Sequence, residues 1–246
     1  MSAATKQTKA PAETPPDVDL RPYLGPTVLD QGSRPTCATF ATSACHEAVT
    51  AHRNGVDPAA QDPTPVEHYA PEAIWWYCTQ QGWAGANGLT IPNVMAAVAD
   101  SGQPFLSAWP YDATLGDGTE DPPAAAEAAR PWDRAEFRRL ALAHDGVEAG
   151  LEATLASGYP VLLGVQVTNE FYSPDAQGRI EVPASRSRGL GGHAITAVGA
   201  ATLPGWGRHV LIKNSWGEGW GAGGYAFLPF DYLRNYAIDA AEPVPV

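Results

Sequence analysis

The spacing of apolar positions changes half-way along this chain. From Pro35 to Ala51 the apolar or small residues Cys37, Phe40, Ala41, Ala44, Cys45 and Ala48 recur at steps of three and four, one face of a helix, and Asn54-Gly55 supplies a stop. A second helix is predicted to open at Pro71, where proline suits the first helical position, and to carry Ile74, Trp75 and Cys78. A third begins near Pro92, carries Val94, Ala97 and Val98, and stops at Gly102. A fourth is capped by Asp145 with Glu148 at capping-box spacing, carries Leu151 and Leu155, and ends at Gly158. Beyond it the runs shorten. Val161 to Val167, His193 to Ala200, His209 to Trp216 and Gly224 to Pro229 are β-rich stretches punctuated by Gly and Pro, as an antiparallel sheet or barrel requires. Helices first and strands afterwards predict an α+β protein with segregated halves and a functional cleft between them.

The pattern also sets the boundaries. Residues 1–17 are polar and rich in Pro and Ala, and are expected to form a disordered tail. Residues 18–246 read as a single domain, with a helical lobe over about 30–110 and a β lobe over about 145–235. The acidic, small-residue stretch from Leu115 to Ala129 reads as a surface loop, partly helical near its end. With 246 residues and 44% hydrophobic content the chain can bury one large domain or two packed lobes.

Charge narrows the partners. A net charge of -12 repels phosphate backbones and anionic lipid, so neither nucleic acid nor membrane is expected as a partner. The N-terminus lacks the apolar run of a signal peptide, and no window reaches the roughly 20 apolar residues of a membrane span. Cys37, Cys45 and Cys78 cannot all pair and match no zinc-ribbon or CxxC spacing, which fits a reducing compartment and a cytoplasmic location. His46-Glu47 opens an HExxH-like pattern, but the next histidine is His52, so that zinc spacing fails. No metal and no cofactor is expected. Oligomeric state is not legible.

Three residues carry candidate chemistry. Cys37 follows Q-G-S-R-P-T and begins the first helix, where the macrodipole and unpaired N–H groups favour thiolate. A buried structural cysteine is the alternative, and it suits Cys45 and Cys78, which lie mid-helix among apolar neighbours. His193 opens an apolar strand behind the flexible run G-L-G-G, so it can lean into a cleft and accept the thiol proton; a surface-loop histidine is the alternative. Asn214, in N-S-W-G-E-G-W-G, can accept from the imidazole N–H and fix its tautomer, with Trp216 shielding that bond from water. Alternatively, this Gly/Trp-rich segment merely closes the sheet.

Taken together, Q-G-S-R-P-T-C-A-T-F, G-G-H-A-I-T-A-V-G and I-K-N-S-W-G-E-G-W-G-A-G-G-Y resemble the three signature blocks of the papain family of cysteine peptidases, in the family's order. The resemblance implies a two-lobed papain-like fold and peptide-bond hydrolysis on a peptide or protein substrate, through Cys37, His193 and Asn214. It implies that Gln31 lines the oxyanion hole, and that Gly88, Gly192 and Trp216 contact substrate. His193 follows Cys37 by 156 residues (193 − 37) and Asn214 by 177 (214 − 37), against about 130–150 in papain-like enzymes, and the excess is assigned to an enlarged loop between Phe171 and Gly189. Three departures stand out. Arg34 occupies the position where secreted relatives carry a disulfide cysteine, Ala38 replaces the aromatic that usually follows the nucleophile, and no long propeptide precedes Cys37. A narrow peptide-precursor substrate is compatible with the last. An acyl transferase and a non-catalytic binding module on the same fold remain alternatives.

Overall fold

A computed structural model describes residues 15–57, 66–144, 148–183 and 188–245. In chain order its elements are β1 (Val18–Asp19), α1 (Cys37–Arg53), α2 (Pro71–Gln80), α3 (Ile91–Asp100), α4 (Ala124–Ala128), β2 (Phe137–Arg139), α5 (Ala149–Ala156), β3 (Val161–Val167), α6 (Asn169–Tyr172), β4 (Gly191–Leu203), β5 (Gly207–Lys213), β6 (Tyr225–Pro229), α7 (Phe230–Tyr236) and β7 (Ala237–Pro243). This is the α+β arrangement that the change of period predicts. Among the described residues no helix is long and apolar enough to cross a membrane.

α1 is the central post of the molecule. Every residue from Ala38 to Val49 is buried, because the helix is small or apolar on nearly all its faces and its hydroxyls turn inward. Thr42 Oγ1 donates to Ala38 O and Ser43 Oγ to Thr39 O, so burying them leaves no unmet donor. The small Ala41 lets the sheet come close enough for Thr196 Oγ1 to donate to its carbonyl at 3.1 Å. α2 opens on Pro71 as its pattern predicts. α3 opens one residue before Pro92, on a capping box formed by Thr90 and Asn93.

The sheet is antiparallel, in the order β2-β7-β3-β4-β5-β6, with β1 added to β4. β3 is buried on both faces: Val161, Leu163, Val165 and Val167 enter the core of the strand half, while Leu162 enters the core shared with α1, α2 and α3. Two-sided burial explains its nearly unbroken apolar run. Where β1 crosses β4, a Cβ on Gly199 would lie 2.3 Å from Val18 O, so only glycine fits there. The register that matters pairs Val165 with His193 and Thr196 with Lys213. It brings the start of β4 beside the end of β5, and so His193 beside Asn214.

Several boundaries differ from expectation. The strand half runs to Pro243 rather than to about 235, because β7 is a strand of small residues (A-I-D-A-A-E-P) that local propensity does not mark. It is held between β2 and β3, and β2 was likewise not anticipated. The run from His209 to Trp216 stops being strand at Lys213. Asp145 lies outside the described residues. α5 starts at Ala149 after Glu148, whose carboxylate accepts from the backbone N–H groups of Ala143 and His144. Of the expected tail, residues 1–14 lie outside the described residues, whereas Arg208 donates to Pro16 O at 2.8 Å and to Asp17 Oδ1 at 2.6 Å.

Candidate active site

One wall of the site is built from the segment that leads into α1. Thr36 is the N-cap and Cys37 the first helical residue, half-buried at the helix N-terminus. Six residues upstream, the buried side chain of Gln31 is held at both ends of its amide. Nε2 donates to Arg34 O at 2.7 Å and Oε1 accepts from Ser215 Oγ at 2.6 Å, which fixes the amide orientation and leaves a second N–H on Nε2. Gln31 N donates to Ser215 O at 2.8 Å and Asp30 bridges Trp216, so this segment is stitched to the one that follows β5. Gly88 closes on the same wall. A Cβ there would meet Pro35 O at 2.9 Å, and its φ of +76° suits glycine.

The other wall is sheet and aromatic rings. His193 is the first buried residue of β4, behind the exposed Gly191 and Gly192. Its Nε2 lies 2.7 Å from Asn214 Oδ1, and the same oxygen accepts from Ser215 N at 2.8 Å. An amide oxygen can only accept, so Nε2 carries the proton and Nδ1 offers the lone pair. Trp216 covers this pair, with its ring centroid 4.7 Å from the imidazole. Phe171 contacts both rings edge-on and stacks on Trp220, and Tyr172 lies parallel to Trp216 at 5.2 Å.

The walls meet in a cleft of about 610 Å³, lined among others by Gln31, Cys37, Gly88, Gly192, His193 and Trp216. Asn214 stands behind His193. Burial raises the Cys37 thiol above its ordinary range, opposed by the N–H groups of Ala194, Ala38 and Cys37 itself. Ala194, the residue after His193, lines the same cleft as Cys37. Burial likewise pushes His193 down to about 4, opposed by its bond to Asn214. The helix terminus favours the thiolate while burial opposes it, and burial likewise disfavours the imidazolium. The pair can pass a proton from sulfur to Nδ1 as the sulfur attacks an electrophile. Among the described residues no group of three or more His, Cys, Asp or Glu side chains could hold a metal ion.

All seven residues singled out from the sequence thus fall in or directly behind one cleft. Sequence reasoning passed over Ser215, which locks Gln31, although it sits inside the N-S-W block. It passed over Tyr172 and Phe171, whose only signal was proximity to the end of a strand. Thr90, Ile91, Ile238 and Asp239 also line the cleft, the last two from the unanticipated β7. Cys45 and Cys78 are fully buried and unpaired, as the structural alternative requires.

The model of the family described as papain family cysteine protease matches residues 14–240. The chain is 26% identical over 229 residues to cysteine proteinase 3 of Entamoeba histolytica, covering 92% of this chain and 67% of that protein. A 140-residue stretch is 32% identical to a peptidase C1-like protein of Acanthamoeba polyphaga mimivirus, covering 53% of this chain and 43% of that protein. The match thus spans less than half the length of the viral relative. Xylellain, a cysteine protease from Xylella fastidiosa, is similar with a TM-score of 0.75 at 25% identity, covering 94% of this chain and 87% of that one. Bromelain from Ananas comosus shares the fold at a TM-score of 0.70 and 18% identity, covering 95% of this chain and all of that one.

Proposed function

Because the chain belongs to the papain family of cysteine proteases, we propose that it hydrolyses peptide bonds with Cys37 as nucleophile, His193 as base and acid, and Asn214 orienting His193. The observation that carries this reading is the 2.7 Å contact from His193 Nε2 to Asn214 Oδ1, which frees Nδ1 on a ring that lines the same cleft as Cys37. Cys37 sulfur attacks the scissile carbonyl carbon while its proton passes to His193 Nδ1. The negative charge that develops on the carbonyl oxygen is held by the free N–H of Gln31 and the backbone N–H of Cys37. The C–N bond then breaks, the leaving amine takes the proton from His193, and a thioester remains. Water, deprotonated by the same nitrogen, attacks that thioester; the acid leaves and the thiol is restored. Gly88 and Gly192 border the cleft where an extended substrate backbone would lie, and Trp216 keeps water from the His193–Asn214 bond.

No nucleic acid or membrane enters this reading, and the substrate is a peptide or protein. Three unpaired thiols support a reducing compartment such as the cytoplasm. The test is alkylation by iodoacetamide at neutral pH together with turnover of a peptide amide. Labelling confined to Cys37, with turnover abolished in Cys37→Ala, is expected; unchanged turnover in that variant eliminates the mechanism. Product masses with and without an added amine tell hydrolysis from acyl transfer.

A further inference from the structure

Arg34 lies three residues before the nucleophile, and its side chain is completely buried. Its guanidinium uses every donor it has. Nη1 and Nη2 grip the Glu72 carboxylate at 2.6 and 3.1 Å. The remaining N–H groups go to three backbone carbonyls of one loop: Asp112 O at 2.8 Å, Gly116 O at 2.8 Å and Gly118 O at 2.9 Å. Glu72, in the first turn of α2, also accepts from Thr119 Oγ1 at 3.1 Å. A buried ion pair of this kind is seldom the cheapest way to gain stability, since well-packed apolar residues of similar volume commonly do as well or better. What this pair achieves instead is directional: a planar fork with five N–H groups ties a loop, a helix and the segment before Cys37 to one point.

That point adjoins the oxyanion-binding wall. Arg34 O is the acceptor that holds Gln31 Nε2 at 2.7 Å. The guanidinium lies 4.8 Å from the centroid of the Tyr111 ring, whose O–H donates to Gln31 O at 2.9 Å. With that hydrogen committed, Tyr111 accepts from Thr36 Oγ1 at 2.8 Å, and Thr36 is the cap that precedes the Cys37 N–H. Both proposed oxyanion donors therefore hang from one framework: Gln31 through Arg34 O and Tyr111, Cys37 through Thr36 and Tyr111. We infer that Arg34 is a positioning residue for the oxyanion hole, setting the Gln31 amide through its carbonyl and through the loop that it locks behind Tyr111. This role rests on the mechanism proposed above. It is distinct from it, because the Cys37–His193 chemistry does not require Arg34.

The test is a double-mutant cycle on a peptidyl aminomethylcoumarin that the chain cleaves, with active sites counted by alkylation of Cys37. Gln31→Ala is expected to lower kcat by about 10²–10³, the usual worth of one oxyanion donor. Arg34→Lys keeps the charge but not the fork. It is expected to lower kcat by about tenfold or more per active site with KM little changed, the pattern of a contact made only in the transition state. In the Gln31→Ala background that factor should shrink toward one. Tyr111→Phe removes a single hydroxyl, and is expected to show a smaller kcat loss that also vanishes without Gln31; it decides the matter if Arg34→Lys does not fold. Factors that simply multiply in the cycle, or an undiminished kcat in the folded variants, overturn the role of Arg34. Turnover surviving in Cys37→Ala would instead overturn the mechanism beneath it.

Discussion

The two walls of the cleft are held by different forces. On the Cys37 wall the fixing contacts are directional and polar: Gln31 to Arg34 O and to Ser215, Tyr111 to Gln31 O, and Arg34 to Glu72. On the His193 wall, strand register places the imidazole beside Asn214, and a shell of rings from Trp216, Phe171 and Trp220 seals the pair. The difference follows from what each wall must do. Backbone and amide N–H groups bind a developing oxyanion only if they are aimed to within a few tenths of an ångström, and hydrogen bonds aim better than packing. Packed rings lower the polarity around the imidazole, which disfavours its charged form.

The largest effects should come from removing the reacting groups themselves. Cys37→Ala and His193→Ala are each expected to abolish turnover, and the double variant should be no worse than either, since the two act as one unit. Multiplying losses in steady-state kinetics would break that coupling. Next comes the polar wall. Glu72→Ala leaves Arg34 buried and unpaired, and is expected to cost about 3–5 kcal/mol in urea unfolding. A loss under about 1 kcal/mol would mean that the three loop carbonyls satisfy the guanidinium alone. On the ring-lined wall, Asn214→Ala should keep the fold and lower kcat by less than about 10², a part of what general acid–base catalysis is worth. A complete loss would give Asn214 more than an orienting role.

The smallest effect is the most specific to the ring shell. His193 titrates near 4 when folded, against 6.5 for an ordinary imidazole. Between those values the unfolded chain binds a proton that the folded chain does not. The contribution of this residue to stability is therefore complete above about pH 6.5 and is lost as pH falls toward 4. The acid limb of kcat/KM should lie near the lower value in the native chain and move toward 6.5 in Trp216→Ala, which admits water to the ring. A native limb already at 6.5 would show that the aromatic shell does not exclude solvent.

Much of the site was readable in the sequence because three short blocks stand in the order of the papain family; local chemistry alone left a structural alternative open for each residue. Cys37 follows a polar, Gly-containing turn at a helix start, His193 follows paired glycines at a strand start, and Asn214 ends an apolar run. The unread parts share a different property. β7 is strand only because β2 and β3 flank it; Ala-rich and containing a proline, its segment carries little strand preference of its own. Arg34 stood out in the sequence only as a missing cysteine, and its partners at Glu72, Asp112, Gly116 and Gly118 lie 38 to 84 residues away.

By itself, then, the sequence determined a helical first half, a strand-rich second half and the cysteine at a helix start, since each depends on neighbours within a few residues, while the resemblance of its three blocks singled out the histidine and asparagine. Only the tertiary structure decided the opposing shifts of Cys37 and His193 and the clamp around Arg34. Both arise from burial and from long-range contacts, which depend on what packs against a residue rather than on what precedes it.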